Sequence, residues 1–227
     1  MAVLELLIPP FPSILPIVDA ALAKQEMEKL MPALAAAGAT WVEYRDKRAD
    51  DRLFHHRAGE ALEAARQHGI ALLINDRVDM ALAVGAHGVH LGQEDLPVEV
   101  ARRLLGPEMI VGLSVGKLEE AQVAELLPVD YIALGPVYAT STKPDAGEPV
   151  GLEMVRAVRE ATTIPLVAIG GITADNAAAV TAAGADCVAA ASFLFGAPSP
   201  GDATRRLQAA SMEGLRQRGV AAGPESE

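Results

Sequence analysis

Short apolar runs alternate with longer, alanine-rich amphipathic runs along almost the whole chain, and this alternation constrains the fold more than any other feature. Most of the short runs are nearly continuous hydrophobic stretches, which is typical of parallel strands that are covered on both faces. The predicted strands are Ile14–Val18, Thr40–Tyr44, Ala71–Ile74, Gly88–Leu91, Met109–Leu113, Tyr131–Leu134, Leu166–Ile169 and Cys187–Ala190. The predicted helices are Glu26–Ala36, Asp51–His68, Val78–Ala83, Val98–Leu105, Leu118–Leu127, Leu152–Ala161, Asn176–Ala183 and Ala203–Arg218.

Each interval between strands has room for a crossover helix, so the pattern predicts βαβ units. A Gly-Ala-x-x-Val repeat at 38–42, 85–89 and 184–188 indicates a glycine that ends a helix directly before a strand. These features predict an α/β fold, a (β/α)8 TIM barrel in a single domain. A doubly wound sheet is the alternative, and it is disfavoured because no Gly-x-Gly-x-x-Gly follows a predicted strand. We expect an N-terminal arm at 1–12, the barrel at 13–218 and a flexible C-terminal tail at 219–227.

Charge and cysteine content exclude several classes of function. The formal net charge of -11 disfavours binding to nucleic acid or to an anionic membrane surface. The single cysteine, Cys187, excludes a disulfide framework and a cysteine-rich zinc site. No apolar run approaches the ~20 residues of a membrane span, and the first residues lack the basic segment of a secretory signal. We therefore expect a cytoplasmic protein, and the sequence is compatible with a homo-oligomer.

Polar residues cluster directly after the predicted strands. In a (β/α)8 barrel the active site is built at that end of the strands, from the loops that follow them. The candidates, in chain order, are Arg45, Lys47, Asn75, Asp76, Asp95, Ser114, Thr140, Thr142, Lys143, Gly171 and Ser192.

Two loops indicate a phosphate site. Gly170 and Gly171 follow the seventh strand, and Ala191 and Ser192 follow the eighth, where many barrels hold a phosphate on free backbone N–H groups. A tight turn at the two glycines is the structural alternative.

Two acids and three cations indicate an anionic ligand with a metal. Asp76 and Asp95 are hard oxygen donors that suit Mg²⁺, which is often completed by substrate phosphates. The structural alternatives are a helix cap for Asp76 and a turn for Asp95. Arg45, Lys47 and Lys143 would supply positive charge to the same ligand, or they would form a solvated face.

Several segments together resemble those of the thiamine-phosphate synthase family. The matching segments are Arg45-Asp46-Lys47, Ile74-Asn75-Asp76-Arg77-Val78-Asp79, Gly88-Val89-His90-Leu91-Gly92-Gln93-Glu94-Asp95, Gly112-Leu113-Ser114, Leu134-Gly135-Pro136-Val137-Tyr138 with Thr140-Ser141-Thr142-Lys143, and Ile169-Gly170-Gly171-Ile172. The resemblance extends from about Gly38 to Ser192. It implies a (β/α)8 barrel that joins 4-amino-5-hydroxymethyl-2-methylpyrimidine diphosphate to 4-methyl-5-(2-phosphooxyethyl)thiazole, so we expect these two small phosphorylated substrates as partners.

The resemblance also implies a role for each site residue. Asp76 and Asp95 would bind Mg²⁺. Arg45, Lys47, Ser114 and Lys143 would be the catalytic side chains, and together with Asn75 they would hold the pyrimidine diphosphate. The residues implied to hold the thiazole phosphate are Thr140, Thr142, Gly171, Ala191 and Ser192. The family reaction is dissociative, because the C–O bond to diphosphate breaks before the thiazole nitrogen captures the pyrimidine-methyl cation.

The chain departs from the family pattern at two site positions, where Glu43 replaces a usual glutamine and Gly116 replaces a frequent histidine. Glu43 lies two residues before Arg45, so both should face the barrel interior. We expect Glu43 to contact the pyrimidine 4-amino group, with a salt bridge to Arg45 or Lys47 as the alternative. The competing functions are a thiazole tautomerase-like isomerase, which needs no diphosphate or Mg²⁺, and a non-catalytic barrel that binds a phosphorylated ligand.

Overall fold

The computed structural model describes residues 8–140, 142 and 147–219. Eight parallel strands close into a barrel in chain order. The strands are β1 Ile14–Asp19, β2 Trp41–Arg45, β3 Ala71–Asn75, β4 Gly88–Leu91, β5 Ile110–Val115, β6 Tyr131–Leu134, β7 Leu166–Ile169 and β8 Cys187–Ala190. The predicted (β/α)8 barrel is therefore confirmed, and the doubly wound sheet is wrong.

Helices follow each strand and cover the outside of the barrel. They are α1 Met27–Ala35, α2 Asp51–Gln67, α3 Val78–Val84, α4 Val98–Leu105, α5 Leu118–Ala124, α6 Gly151–Ala161, α7 Ala177–Ala183, α8 Ser192–Phe195 and α9 Pro200–Gln217. The four-residue α8 is absent from the sequence-based prediction. The last helix starts at Pro200, before the predicted Ala203, because proline is tolerated in the first turn and the Ser199 hydroxyl accepts a hydrogen bond from the Asp202 N–H.

The core has two parts because strand side chains alternate between the two faces of the sheet. One set packs between the strands and the helices, and the other fills the barrel interior. At the lower end of the interior, Phe11 of the N-terminal arm packs edge-on against Trp41, with ring centroids 5.4 Å apart. The Trp41 Nε1–H also donates to the Pro9 carbonyl at 3.0 Å. The end of the arm thus closes the barrel opposite the mouth where the strands end.

At three strands, the side chain of the residue directly before the strand accepts a hydrogen bond from the neighbouring strand. His87 Nδ1 accepts from the Leu72 N–H at 3.0 Å. Asp130 accepts from the Val111 N–H at 2.7 Å, and Asp186 accepts from the Leu166 N–H at 2.9 Å. His87 and Asp186 occupy the same position of the Gly-Ala-x-x-Val repeat. The repeat therefore both ends a helix and fixes the start of the next strand.

Candidate active site

A cavity of about 590 Å³ opens at the mouth of the barrel, where the strands end. Every predicted site residue that the structure describes lines it: Glu43, Arg45, Lys47, Asn75, Asp76, Asp95, Ser114, Thr140, Thr142, Gly171, Ala191 and Ser192. Lys143, the remaining predicted residue, lies outside the described residues. Residues that are far apart in the sequence are thus brought to one site.

Arg45 and Lys47, the two predicted basic site residues that the structure describes, each form a salt bridge with a carboxylate. Arg45 forms a salt bridge with Asp19, a residue at the end of β1 whose side chain is 6 % exposed. Lys47 forms a salt bridge with Asp76. Sequence reasoning missed Asp19, although it directly follows the first predicted strand and is the first polar residue after it.

We expected basic side chains to dominate the mouth of the barrel, but acidic side chains outnumber them among the described lining residues. Among the described lining residues the basic side chains are Arg45 and Lys47, whereas the acidic ones are Asp19, Glu43, Asp76, Glu94, Asp95 and Glu120. A ligand with several negative charges would therefore meet a surplus of carboxylates in this part of the site. Such a ligand needs a cation that accompanies it.

Asp76 does not cap the following helix, so the structural alternative for this residue is wrong. Arg77 occupies the position before α3 and makes no side-chain cap. Asp76 itself has a left-handed backbone, with φ 63°, and its N–H donates to the His90 carbonyl at 2.7 Å. A non-glycine residue in this region is uncommon, and such residues cluster at functional sites.

One carboxylate oxygen of Asp95 stabilises a turn by accepting a backbone hydrogen bond. Asp95 Oδ2 accepts from the Gly92 N–H at 2.6 Å, as the turn alternative predicts. Asp95 Oδ1 makes no hydrogen bond with the residues that the structure describes. No group of three or more His, Cys, Asp or Glu side chains that could hold a metal is found within 8–140, 142 and 147–219. Two carboxylates still fit Mg²⁺, which commonly uses one or two and completes its shell with waters and phosphate oxygens.

Glu43 is almost completely buried, with 3 % of its surface exposed. Its Oε1 accepts a hydrogen bond from Asn75 Nδ2 at 3.0 Å. Burial raises the pKa of Glu43 to about 7, and the Asn75 hydrogen bond with the charges of Arg45 and Lys47 opposes only part of this rise. The alternative for Glu43, a salt bridge to Arg45 or Lys47, is wrong, because Arg45 pairs with Asp19 and Lys47 pairs with Asp76. Asn75 supplies an amide partner for Glu43 instead.

Ser114 is held from two sides. His90 Nε2 lies 2.8 Å from Ser114 Oγ, and Gln93 Nε2 donates to the Ser114 carbonyl at 2.6 Å. The Gly116 N–H donates to Glu120 Oε2 at 2.8 Å. Sequence reasoning missed Glu120, because it reaches the mouth from inside a helix and no local pattern marks it.

The two glycines after β7 have backbones that other residues rarely adopt. Gly170 has φ 97° and Gly171 has φ 62°. A Cβ atom on Gly171 would lie 2.5 Å from the Ala139 carbonyl oxygen, so this loop packs closely against the loop after β6. The backbone of Gly170 and Gly171 fits the turn alternative, and both glycines line the cavity together with Ser192.

Comparison with known proteins gives the family. The family described as "Thiamine monophosphate synthase" matches residues 14–194. The chain belongs to this family. The thiamine-phosphate synthase of Moorella thermoacetica is 48 % identical over 180 residues, which are 79 % of this chain and 86 % of that protein.

Two further relatives support membership of the thiamine monophosphate synthase family. The thiamine biosynthesis bifunctional protein ThiM/ThiE of Symbiobacterium thermophilum is 50 % identical over 178 residues, which are 78 % of this chain and 37 % of that protein. The chain thus spans little more than a third of that relative. The solved thiamine phosphate pyrophosphorylase from Pyrococcus furiosus superposes with a TM-score of 0.80 at 39 % identity, over 89 % of this chain and 97 % of that one. The predicted family, a family of transferases, is confirmed.

No helix among the described residues has the length and apolar character that crossing a membrane would require.

Proposed function

We propose that this chain joins 4-amino-5-hydroxymethyl-2-methylpyrimidine diphosphate to 4-methyl-5-(2-phosphooxyethyl)thiazole, giving thiamine phosphate and diphosphate. The observation that carries the proposal is the convergence of the family's motif residues on one cavity of about 590 Å³. A cavity of this size accommodates small ligands. Family membership over residues 14–194 supports the same activity.

Mg²⁺ fits the carboxylates at the mouth. Asp76 and Asp95 would hold it, and it would neutralise charge on the diphosphate that leaves. The surplus of carboxylates over basic side chains among the described lining residues supports this assignment, because a bare diphosphate would be repelled there. When the diphosphate arrives, its charge can take over the interactions that Asp19 and Asp76 make with Arg45 and Lys47.

The basic and hydroxyl side chains act where charge develops. As the C–O bond between the pyrimidine methylene group and the diphosphate breaks, the electron pair goes to the diphosphate oxygen. Arg45, Lys47, Ser114 and Lys143 would stabilise that oxygen, and Asn75 would help to hold the pyrimidine diphosphate. The thiazole nitrogen then gives its lone pair to the methylene carbon and forms the C–N bond. One cavity that binds both substrates replaces a bimolecular encounter by an intramolecular one.

The thiazole phosphate would bind on the opposite side of the cavity. The proposed contacts are Thr140, Thr142, Gly171, Ala191 and Ser192. Gly170 and Gly171 place no side chain of their own beside their backbone N–H groups, and barrels commonly hold a phosphate on such groups after the seventh and eighth strands. In a ligand-bound crystal structure we expect the phosphate within hydrogen-bond reach of the Gly171 and Ser192 N–H groups. A thiazole phosphate bound elsewhere contradicts this assignment.

Glu43 would contact the pyrimidine. Its Oε1 already accepts from Asn75, so the 4-amino group would be a second donor to a buried carboxyl. Electron density pushed from the amino group into the ring would favour loss of the diphosphate. Replacing Glu43 by Gln should change pyrimidine-diphosphate binding or turnover and leave thiazole-phosphate affinity unchanged. If neither changes, Glu43 is not a pyrimidine contact.

The experiment that tests the proposed function is product analysis by mass spectrometry, with each substrate left out in turn. Thiamine phosphate should form only when both substrates and Mg²⁺ are present. An isomerised thiazole phosphate, formed without pyrimidine diphosphate, would instead support the tautomerase-like alternative. Binding of the phosphorylated ligands with no product at all would support a non-catalytic barrel.

A further inference from the structure

Three side chains form a continuous hydrogen-bonded chain inside the barrel, below the mouth. The Tyr131 hydroxyl oxygen lies 2.8 Å from His90 Nδ1, and His90 Nε2 lies 2.8 Å from Ser114 Oγ. The rings of His90 and Tyr131 are stacked, with centroids 5.5 Å apart and an interplanar angle of 26°. We call this arrangement the Tyr131–His90–Ser114 chain. It connects a fully buried phenol to a hydroxyl that lines the cavity.

The sequence builds this chain from three adjacent strands. His90 lies on β4 opposite Gly112 of β5, and Gly112 lies opposite Tyr131 of β6. A Cβ atom at Gly112 would lie 2.1 Å from Tyr131 Cζ, so only glycine leaves room for the tyrosine ring beside the histidine. The glycine of the Gly112-Leu113-Ser114 motif therefore has a physical role in the site.

With one proton on the imidazole, two proton arrangements satisfy the two distances. In the first, the Tyr131 O–H donates to His90 Nδ1, and His90 Nε2–H donates to Ser114 Oγ. In the second, His90 Nδ1–H donates to the Tyr131 oxygen, and the Ser114 O–H donates to Nε2, as in a Ser–His pair that performs nucleophilic catalysis.

The surroundings of Tyr131 distinguish the two arrangements. Tyr131 has no exposed surface, and His90 is the one hydrogen-bond partner of its hydroxyl within the part of the chain that the structure describes. In the second arrangement the phenolic proton would be buried without an acceptor, which is costly. Burial, with the nearby charge of Glu43, also raises the pKa of Tyr131 well above its ordinary value, so the phenol keeps its proton. Because this phenolic proton needs an acceptor, the surroundings of Tyr131 favour the first arrangement.

We propose that Tyr131 is a positioning residue that fixes His90 in the Nε2–H tautomer, so that Ser114 accepts from His90 and turns its own hydroxyl proton toward the ligand. Ser114 is then a hydrogen-bond donor to the anionic substrate, and it is not a nucleophile, because His90 Nε2 already carries a proton. This inference rests on the proposed function and assigns Ser114 a definite task within it. The Gln93 contact to the Ser114 carbonyl fixes the backbone of the same residue.

The first test is the tautomer of His90 in the protein without substrate. Nuclear magnetic resonance of protein labelled with ¹⁵N in its histidines distinguishes a protonated Nε2 from a protonated Nδ1, and His90→Gln identifies the signals of this residue. We expect His90 to be protonated at Nε2 alone. A proton at Nδ1 with a bare Nε2 would overturn the proposal. This measurement does not depend on what the protein catalyses.

The second test is kinetic and uses matched tyrosine variants. Tyr131→Phe removes the hydroxyl that fixes the tautomer, so we expect kcat/KM for the pyrimidine diphosphate to fall about 10-fold while KM for the thiazole phosphate is unchanged. Tyr44→Phe is the control, because Tyr44 is also fully buried and its hydroxyl contacts Asp46 at 3.4 Å, away from His90. Equal kinetics in the two variants, with His90 of Tyr131→Phe still protonated at Nε2 alone, would overturn the proposal.

A third variant shows whether His90 acts on Ser114 as a hydrogen-bond donor or as a base. His90→Gln offers an amide N–H to Ser114 but cannot accept the serine proton as a base. We expect it to keep activity within about 10-fold of the original chain, whereas a Ser–His nucleophile would lose almost all activity. If the original chain makes no thiamine phosphate, the proposed function fails, and the tautomer measurement still decides the arrangement of the protons.

Discussion

Replacing the buried carboxyl of Glu43 by an amide should stabilise the protein, and the gain should depend on pH. Burial raises the pKa of Glu43 from 4.5 to about 7, so the folded state binds this proton more tightly than the unfolded state does. The stability that comes from the bound proton is fully present below pH 4.5 and is lost as the pH rises through 7. At 1.36 kcal/mol per pKa unit, the change between these limits is about 3 kcal/mol.

Glu43→Gln removes this titration and keeps an oxygen that can accept from Asn75. We expect the free energy of unfolding of the variant, relative to the original chain, to grow by about 3 kcal/mol between pH 4.5 and pH 8. For a chain of this length that is a difference in Tm of roughly 6–12 °C. Urea unfolding at pH 4.5 and pH 8 measures it, and Glu108→Gln, at an exposed glutamate, is the control. If the two Gln variants differ from the original chain by the same amount at both pH values, the pKa of Glu43 is not raised in the folded protein and this prediction is wrong.

Two other predictions concern the loop after β7 and the start of β4. Gly171→Ala places a Cβ 2.5 Å from the Ala139 carbonyl oxygen, so KM for the thiazole phosphate should rise at least 10-fold in steady-state assays. Gly69→Ala, at φ 66° but with open space around it, should lose about 1 kcal/mol of stability with no change in KM. Burial lowers the pKa of His87 from 6.5 to about 4, so its contribution to stability is present above pH 6.5 and is lost on acidification toward pH 4. His87→Asn, which keeps an acceptor for the Leu72 N–H, should lose less stability over that range in thermal unfolding, and an equal loss would contradict this assignment.

Glu43 and His87 change the stability of the protein in opposite directions as the pH falls, because the pKa of Glu43 is raised and that of His87 is lowered. Acidification from pH 7 to pH 4.5 strengthens the fold through Glu43 and weakens it through His87, by similar amounts. The original chain can therefore show a nearly flat pH dependence over this interval. Only the two variants, measured separately, expose the two opposing contributions.

The barrel could be predicted from the sequence because its strands are continuous apolar runs and its helices are long enough to show a period. Gly88–Leu91, Tyr131–Leu134, Leu166–Ile169 and Cys187–Ala190 have the predicted bounds. The four residues of α8 are too few to show any period, so this helix could not be found. The fifth helix ends at Ala124, three residues before its predicted end, and Leu126 beyond it is 86 % exposed.

The sequence predicts which residues line the site, but it does not predict which of their side chains form salt bridges and hydrogen bonds with one another. The position of a polar residue directly after a strand is enough to bring it to the mouth of a parallel barrel. Which carboxylate meets Arg45 depends on the stagger of β1 against β2, where Asp19 lies opposite Arg45. Asn75 reaches Glu43 across β2 and β3 in the same way. Such long-range pairs leave no local signal in a single sequence.

Release of diphosphate tests the proposed reaction most directly when it is followed together with thiamine phosphate. The assay uses graded Mg²⁺ concentrations with the original chain and with Asp95→Ala. We expect one diphosphate for each thiamine phosphate, a rate that saturates with Mg²⁺, and a rate about 100-fold lower in a folded Asp95→Ala protein. Full activity of the original chain in the presence of a chelator, or normal turnover by Asp95→Ala, would contradict the proposed Mg²⁺-assisted reaction.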